Sequence, residues 1–232
     1  MTRIMAIYNA TPDSFYAPSR YNESVFESNA DIIDIGACST RPGSEAVTED
    51  VEWERLRPVL ERLLRKGFFS SGKELSIDTF RPGIVRRVLS LLEGEKFIVN
   101  DVGGARTIDE MSSLCRVLGL QYVATHNGPA DDTLHWFESI APGLEGLDWI
   151  LDPGLGFGKD TKNENWHLLH QLNEFKRFGR PVLVGASRKR FTEGSLELTL
   201  EAHRIAIENG ADILRVHDVS QEIPEQYRVA SL

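Results

Sequence analysis

The feature that most constrains this chain is an alternation of short apolar or β-branched runs with longer amphipathic stretches. Eight such runs span residues 3–9, 31–36, 74–78, 96–101, 120–126, 148–152, 181–185 and 212–217, each ending in polar, Gly or Asp residues. Helical patterns lie between several of them, at 49–66, 82–92, 108–118, 132–139, 163–178 and 196–209. Strands that alternate with helices run parallel, because each crossover returns the chain to the same edge of the sheet, and eight of them predict a closed (β/α)8 TIM barrel. The 232 residues, 41% of them hydrophobic, suffice for one such core, so a single domain over 1–232 is expected. No linker, low-complexity tract or internal repeat interrupts it. The stretch from Phe15 to Asp31 is too short for a normal first helix, and little chain follows Ser220. The expected barrel is therefore compact, with shortened or missing first and last helices.

A net charge of −9 provides no long-range positive field, which argues against nucleic acid as a partner. The N-terminal apolar run is too short for a signal segment, and no stretch approaches a membrane span, so a soluble cytoplasmic protein is expected. Cys38 and Cys115 have no metal-ligand spacing and read as reduced thiols.

The distinctive polar residues fall at the ends of the runs: Asn9 on the first, Asp78 on the third, Asn100 and Asp101 on the fourth, Asp152 on the sixth, Arg215 and His217 on the eighth. In a parallel barrel those ends converge on one face, where loops build active sites. Turn and N-cap duty is the plain alternative for any single Asn or Asp, and Asp78 in particular is placed to cap a helix starting near Pro82. Turns alone give no reason to place Arg, Lys and His there as well, since such groups must be paired or desolvated.

Within Asp152-Pro-Gly-Leu-Gly-Phe-Gly-Lys159, a strand-end carboxylate leads into a Gly-rich loop that can bring backbone N–H groups and Phe157 against a flat ligand. A buried carboxylate matches the paired N–H donors of a 2-amino-4-oxo heterocycle, a task that Asp78 and Asn100 can share. Ser187-Arg188-Lys189 follows the seventh run and faces Arg215 and His217 after the eighth, which is where such barrels commonly hold phosphate. Lys189 can also donate to a ring carbonyl or nitrogen. Asn9 can offer an oxygen to Mg²⁺, a hard cation that uses few protein ligands, and Arg41 can attract an anionic second substrate.

Together these segments resemble dihydropteroate synthase in the family's order, from Asn9-Ala-Thr-Pro-Asp-Ser-Phe15 and Asp34-Ile-Gly-Ala-Cys-Ser-Thr-Arg-Pro-Gly43 through Ser76-Ile-Asp-Thr79 and Asn100-Asp-Val102 to the Asp152 loop, Ser187-Arg-Lys189 and Arg215-Val-His-Asp218. The resemblance implies a transferase of folate biosynthesis that joins 6-hydroxymethyl-7,8-dihydropterin pyrophosphate to p-aminobenzoate with Mg²⁺ as cofactor. By that resemblance Asp78, Asn100, Asp152, Phe157 and Lys189 hold the pterin, while Asn9, Arg215 and His217 hold pyrophosphate and the metal. Thr40, Arg41, Pro42 and Ser187 flank the aminobenzoate, and the catalytic groups are Asp78, Asp152, Lys189, Arg215 and His217. The implied partners are these small molecules, with a homodimer as an option. The chain departs from the family pattern at Tyr16-Ala-Pro-Ser19 in the first loop, at Cys38 where Glu is usual and at Arg190 where Ser is usual. The altered loop leaves open a non-catalytic or regulatory pterin-binding paralogue. A folate-dependent methyltransferase on the related barrel is a further alternative, disfavoured by Ser187-Arg188-Lys189 and by Ser39-Thr40-Arg41-Pro42-Gly43.

Overall fold

The structure is a computed structural model that describes residues 2–11, 21–38, 47–159 and 161–224. Eight parallel strands form its sheet: β1 (Arg3–Asn9), β2 (Ile32–Gly36), β3 (Glu74–Asp78), β4 (Ile98–Asp101), β5 (Gln121–Thr125), β6 (Trp149–Asp152), β7 (Leu183–Val184) and β8 (Ile213–Val216). They run in the order β6-β5-β4-β3-β2-β1-β8-β7, and a parallel bridge between Leu151 and Val182 joins the two ends into a barrel. The register offsets, such as Met5 opposite both Ile32 and Arg215, give the stagger that closure requires.

Six α-helices follow β2 to β7 among the described residues: α1 (Glu49–Arg65), α2 (Pro82–Leu91), α3 (Ile108–Leu118), α4 (Thr133–Ile140), α5 (Lys162–His170) and α6 (Leu196–Glu208). Their starts are written locally. Thr48 and Ser195 cap α1 and α6, Pro82 opens α2, and Thr161 with Glu164 forms a reciprocal capping box on α5. On α1, acidic residues in the first turn and Arg62 and Arg65 in the last complement the helix dipole, while Leu56, Val59, Leu60 and Leu63 are buried. The single helix expected over 163–178 is divided instead. The amide of Gln171 is shared between the carbonyls of His167 and Leu168, both at 3.2 Å, and a 3-10 segment continues over Leu172–Phe178. Leu172 and Phe175 are buried three residues apart, a spacing that stacks on one face of a three-residue turn.

The first crossover carries no α-helix among its described residues; a 3-10 turn at Glu23–Glu27 stands in its place. Phe26 packs on Tyr8 with ring centroids 4.8 Å apart, and Arg62 of α1 ties Glu23 at 2.6 Å to the Tyr8 hydroxyl at 3.3 Å. After β8, residues 217–224 are also without a helix, yet Glu222 and Ile223 are buried.

Two apolar layers result. The larger lies between the sheet and the helices, whereas Met5, Ile32, Ile98, Val123, Ile150, Leu183 and Ile213 form a separate cluster from seven of the eight strands. These seven fill the barrel interior. Strand β3 contributes no apolar residue to that cluster, and its fully buried Ser76 is committed to a hydrogen bond with Asp34.

Candidate active site at the strand ends

Side chains on a strand return to the same face every second residue, so the residue two places after an interior apolar one also faces inward. Beyond Ile32, Ile98, Val123, Ile150 and Ile213, that residue is Asp34, Asn100, Thr125, Asp152 and Arg215. The barrel thus changes from apolar to polar as its strands reach their C-terminal ends.

Asp34, which the strand-end reading passed over, is the centre of this layer. It is fully buried, and Arg215 Nε donates to its Oδ2 at 2.7 Å, Asn100 Nδ2 to the same oxygen at 3.1 Å and Ser76 Oγ to Oδ1 at 2.6 Å. Arg215 Nη2 also donates to Asp78 Oδ2 at 2.7 Å. Burial opposes the guanidinium charge, but Asp34 and Asp78 outweigh it and push the Arg215 pKa up. Burial raises the Asp78 carboxyl to about 7, with Arg215 pulling the other way and Asp34 adding repulsion. The N-cap alternative for Asp78 does not hold, because Arg81 occupies the cap position of α2. The sequence signal for Asp34 was a single carboxylate within the otherwise apolar Ile32-Ile33-Asp34-Ile35.

Around β4 to β7 the polar groups are less fully matched. Asp152 accepts from the Gly154 amide at 2.8 Å, and its carboxyl is raised by burial against the opposing pull of Lys189. Asn100 Oδ1 and Thr125 Oγ1 are buried without hydrogen-bond partners among the described residues. The amide orientation of Asn100 follows from its bond to Asp34, since only Nδ2 can donate there. Lys189 lies 4.5 Å from the centroid of the Phe157 ring, and its Nζ donates to the Leu155 carbonyl. Burial lowers its pKa to about 8 despite the attraction of Asp152.

The Gly-rich loop fits closely against the end of β5. Gly154 has φ of 69°, and a Cβ there would lie 1.8 Å from the His126 carbonyl oxygen. Lys159 Nζ fastens the two loops by donating to the carbonyls of Gly128 and Phe157, each at 3.1 Å. Nearby His126 is buried, which together with Lys159 lowers its pKa to about 4.

Ser187 and His217 meet across the ends of β7 and β8, with Ser187 Oγ 2.6 Å from His217 Nδ1. Burial, aided by Arg215 and Lys189, depresses the His217 pKa to about 3, so the ring is neutral near pH 7. Asn9 ends β1 half-buried. Asp101 has a structural duty, accepting from Gly103 N at 2.8 Å, Thr107 Oγ1 at 2.8 Å and the Tyr122 hydroxyl at 2.9 Å. Cys38 is half-buried, Cys115 is buried, and neither takes part in a disulfide. Thr40, Arg41, Pro42 and the Tyr16-Ala17-Pro18-Ser19 stretch lie outside the described residues.

A closed parallel barrel whose charged side chains converge beyond its strand C-termini belongs to the (β/α)8 class that uses this face for ligands. A family model described as pterin binding enzyme matches residues 5–217, and the chain belongs to that family. The dihydropteroate synthase of Bacillus subtilis is 34% identical over 249 aligned residues, covering 95% of this chain and 85% of the relative. A Xanthomonas albilineans dihydropteroate synthase solved with 4-aminobenzoic acid superposes with a TM-score of 0.81 at 31% identity, covering 95% of this chain and 89% of that one. The Thermus thermophilus enzyme in complex with 6HMPPP gives 0.75 at 32% identity, covering 95% and 90%. No helix among the described residues is long and apolar enough to cross a membrane.

Proposed function

We propose that this protein is a dihydropteroate synthase, joining 6-hydroxymethyl-7,8-dihydropterin pyrophosphate to p-aminobenzoate and releasing pyrophosphate. The observation that carries the reading is the incomplete hydrogen bonding around Asp152. Among the described residues, a carboxylate with one hydrogen bond, from the Gly154 amide, stands in a barrel mouth that also holds the unpartnered Asn100 Oδ1 and Thr125 Oγ1. An unmet buried polar atom costs about 1–3 kcal/mol, so a heterocycle rich in N–H donors gains from meeting it. Phe157 offers an aromatic face, and Lys189, with its lowered pKa of about 8, offers a donor for a ring carbonyl or nitrogen.

Asp78 and Asp152 stabilise positive charge at the pterin methylene as its C–O bond breaks, and the aryl amine then adds to that carbon and loses its proton. No protein nucleophile is required. Asn9, Arg215 and His217 are assigned to the pyrophosphate, and Thr40, Arg41, Pro42 and Ser187 to the aminobenzoate. The donor chemistry fits Mg²⁺: Asn9 supplies a hard, neutral amide oxygen, and the remaining ligands would be phosphate oxygens and water. When bound, the ion neutralises charge on the leaving group. A cytoplasmic location and a homodimer belong to the same proposal; sedimentation equilibrium decides the latter.

The test is pyrophosphate release by the purified protein given the dihydropterin pyrophosphate and Mg²⁺, with and without p-aminobenzoate. Release that requires aminobenzoate and accompanies dihydropteroate formation is the expected result. Pterin binding without turnover would instead make the chain a binding paralogue.

A further inference from the structure

The buried carboxylate of Glu222 has no part in the scheme above. Glu222, fully buried on the segment after β8, accepts from Arg188 Nε at 2.8 Å through Oε1. Its Oε2 accepts from the Ser187 hydroxyl, from His217 N at 3.0 Å and from Asp218 N at 3.4 Å. Its backbone carbonyl faces His203 Nδ1 of α6 at 2.7 Å, so that ring must carry its proton on Nδ1. The buried, unpartnered His203 Nε2 is what the neutral Nδ1–H form leaves behind. Arg188 adopts φ of 53°, a left-handed conformation unfavourable for a residue with a side chain, and its amide donates to Thr199 Oγ1 at 3.2 Å. The Ser187–Lys189 loop is thereby held from both α6 and the segment after β8.

Proton counting gives this arrangement a consequence. Ser187 has one hydroxyl proton, and a carboxylate only accepts, so that proton points to Glu222. The Ser187 oxygen can then act only as an acceptor toward His217 Nδ1, 2.6 Å away. The ring proton of His217 must reside on Nδ1, leaving Nε2 as an acceptor.

We infer that Glu222 is a positioning residue: acting through the Ser187 hydroxyl, it fixes the Nδ1–H tautomer of His217, so that Nε2 receives a hydrogen bond from a protonated phosphate oxygen or from a water in the anion's hydration shell. The functional half of this inference rests on the pyrophosphate role proposed for His217; the tautomer half does not.

The experiment is ¹⁵N spectroscopy of histidine-labelled full-length protein at pH 7, with the His217 signals assigned by comparison with His217→Gln. The wild type is expected to show a protonated Nδ1 and an unprotonated Nε2. In Glu222→Ala the Ser187 hydroxyl is released to donate to Nδ1, which shifts the population toward Nε2–H. A wild-type Nε2–H tautomer, or an unchanged tautomer in folded Glu222→Ala, overturns the inference. Should Glu222→Ala fail to fold, the wild-type spectrum still decides the tautomer and Ser187→Ala replaces the variant, with loss of the Nδ1–H bias expected. Inorganic pyrophosphate with Mg²⁺ is then titrated into each protein. Glu222→Ala and Ser187→Ala are each expected to weaken it by about tenfold, the scale of one net hydrogen bond, with no further loss in the double variant. Fully additive losses would contradict action through Ser187. If pyrophosphate leaves the His217 Nε2 signal of the wild type unmoved, the pyrophosphate reading fails while the tautomer result stands.

Discussion

Two halves of the barrel mouth use similar side chains to different ends. Around β2, β3 and β8, the buried Asp34 accepts from Ser76, Asn100 and Arg215, and Arg215 is divided between Asp34 and Asp78. Around β4 to β6, Asp152 accepts from a backbone amide while Asn100 Oδ1 and Thr125 Oγ1 have no partners among the described residues. The first half is paired chiefly within the protein and stiffens the mouth; the second retains more capacity for a ligand. Asn100 belongs to both, with its Nδ2 bound to Asp34 in the paired half and its Oδ1 in the less matched one.

The contrast breaks most visibly at Asp152. Asp152→Asn turns one acceptor into a donor, and pterin affinity measured by calorimetry should fall by a hundredfold or more, on the order of 3 kcal/mol for a charge-assisted bond replaced by a clash of donors, with the fold retained. Unchanged binding would remove the pocket assignment. At Asp34 the larger effect should be on stability. Asp34→Ala leaves the half-buried Arg215 with one partner fewer, and urea unfolding should show a loss of about 3 kcal/mol. Near-wild-type stability would mean that this half is not the scaffold.

Lys189 yields a pH-dependent comparison. Its pKa in the folded protein is lowered to about 8 from 10.5, so between those values the unfolded chain binds more protons at this site. The burden that burial of the charge places on the folded state is therefore relieved as pH rises from 8 to 10.5. Wild-type stability should rise across that window relative to Lys189→Met, while pterin affinity falls as the ammonium is lost. A flat difference between the two proteins would argue against a strongly buried charge. The smallest effect is expected at Thr125→Val, which removes an unmet hydroxyl at nearly constant shape. Stability should rise by up to about 1 kcal/mol, and any pterin bond made to Oγ1 should disappear.

Much of this was legible before any coordinates. Strands 3–9 and 74–78 and the helix at 108–118 match their expected bounds, because period-two burial, Gly or Asp at strand ends and local caps are encoded within a few residues. The shortness of the first connection likewise agrees with the lack of an α-helix among its described residues. The 163–178 stretch misled because its apolar spacing admits both a continuous helix and the α then 3-10 sequence adopted. Asp34 escaped attention because it lies within its strand, where hydrophobic neighbours surround it in sequence, and Glu222 because its segment carries no periodic pattern.

The sequence by itself determined the barrel, the strand ends and the residue types gathered there, since these depend on local periodicity and on the direction every parallel strand must share. Only the tertiary structure decided which of those groups are already paired. Arg215 meets Asp34 181 positions away and Asp78 137 positions away, and Ser187 meets His217 30 positions away. Pairing across the mouth depends on barrel closure and stagger, which set distances that no local stretch of chain contains.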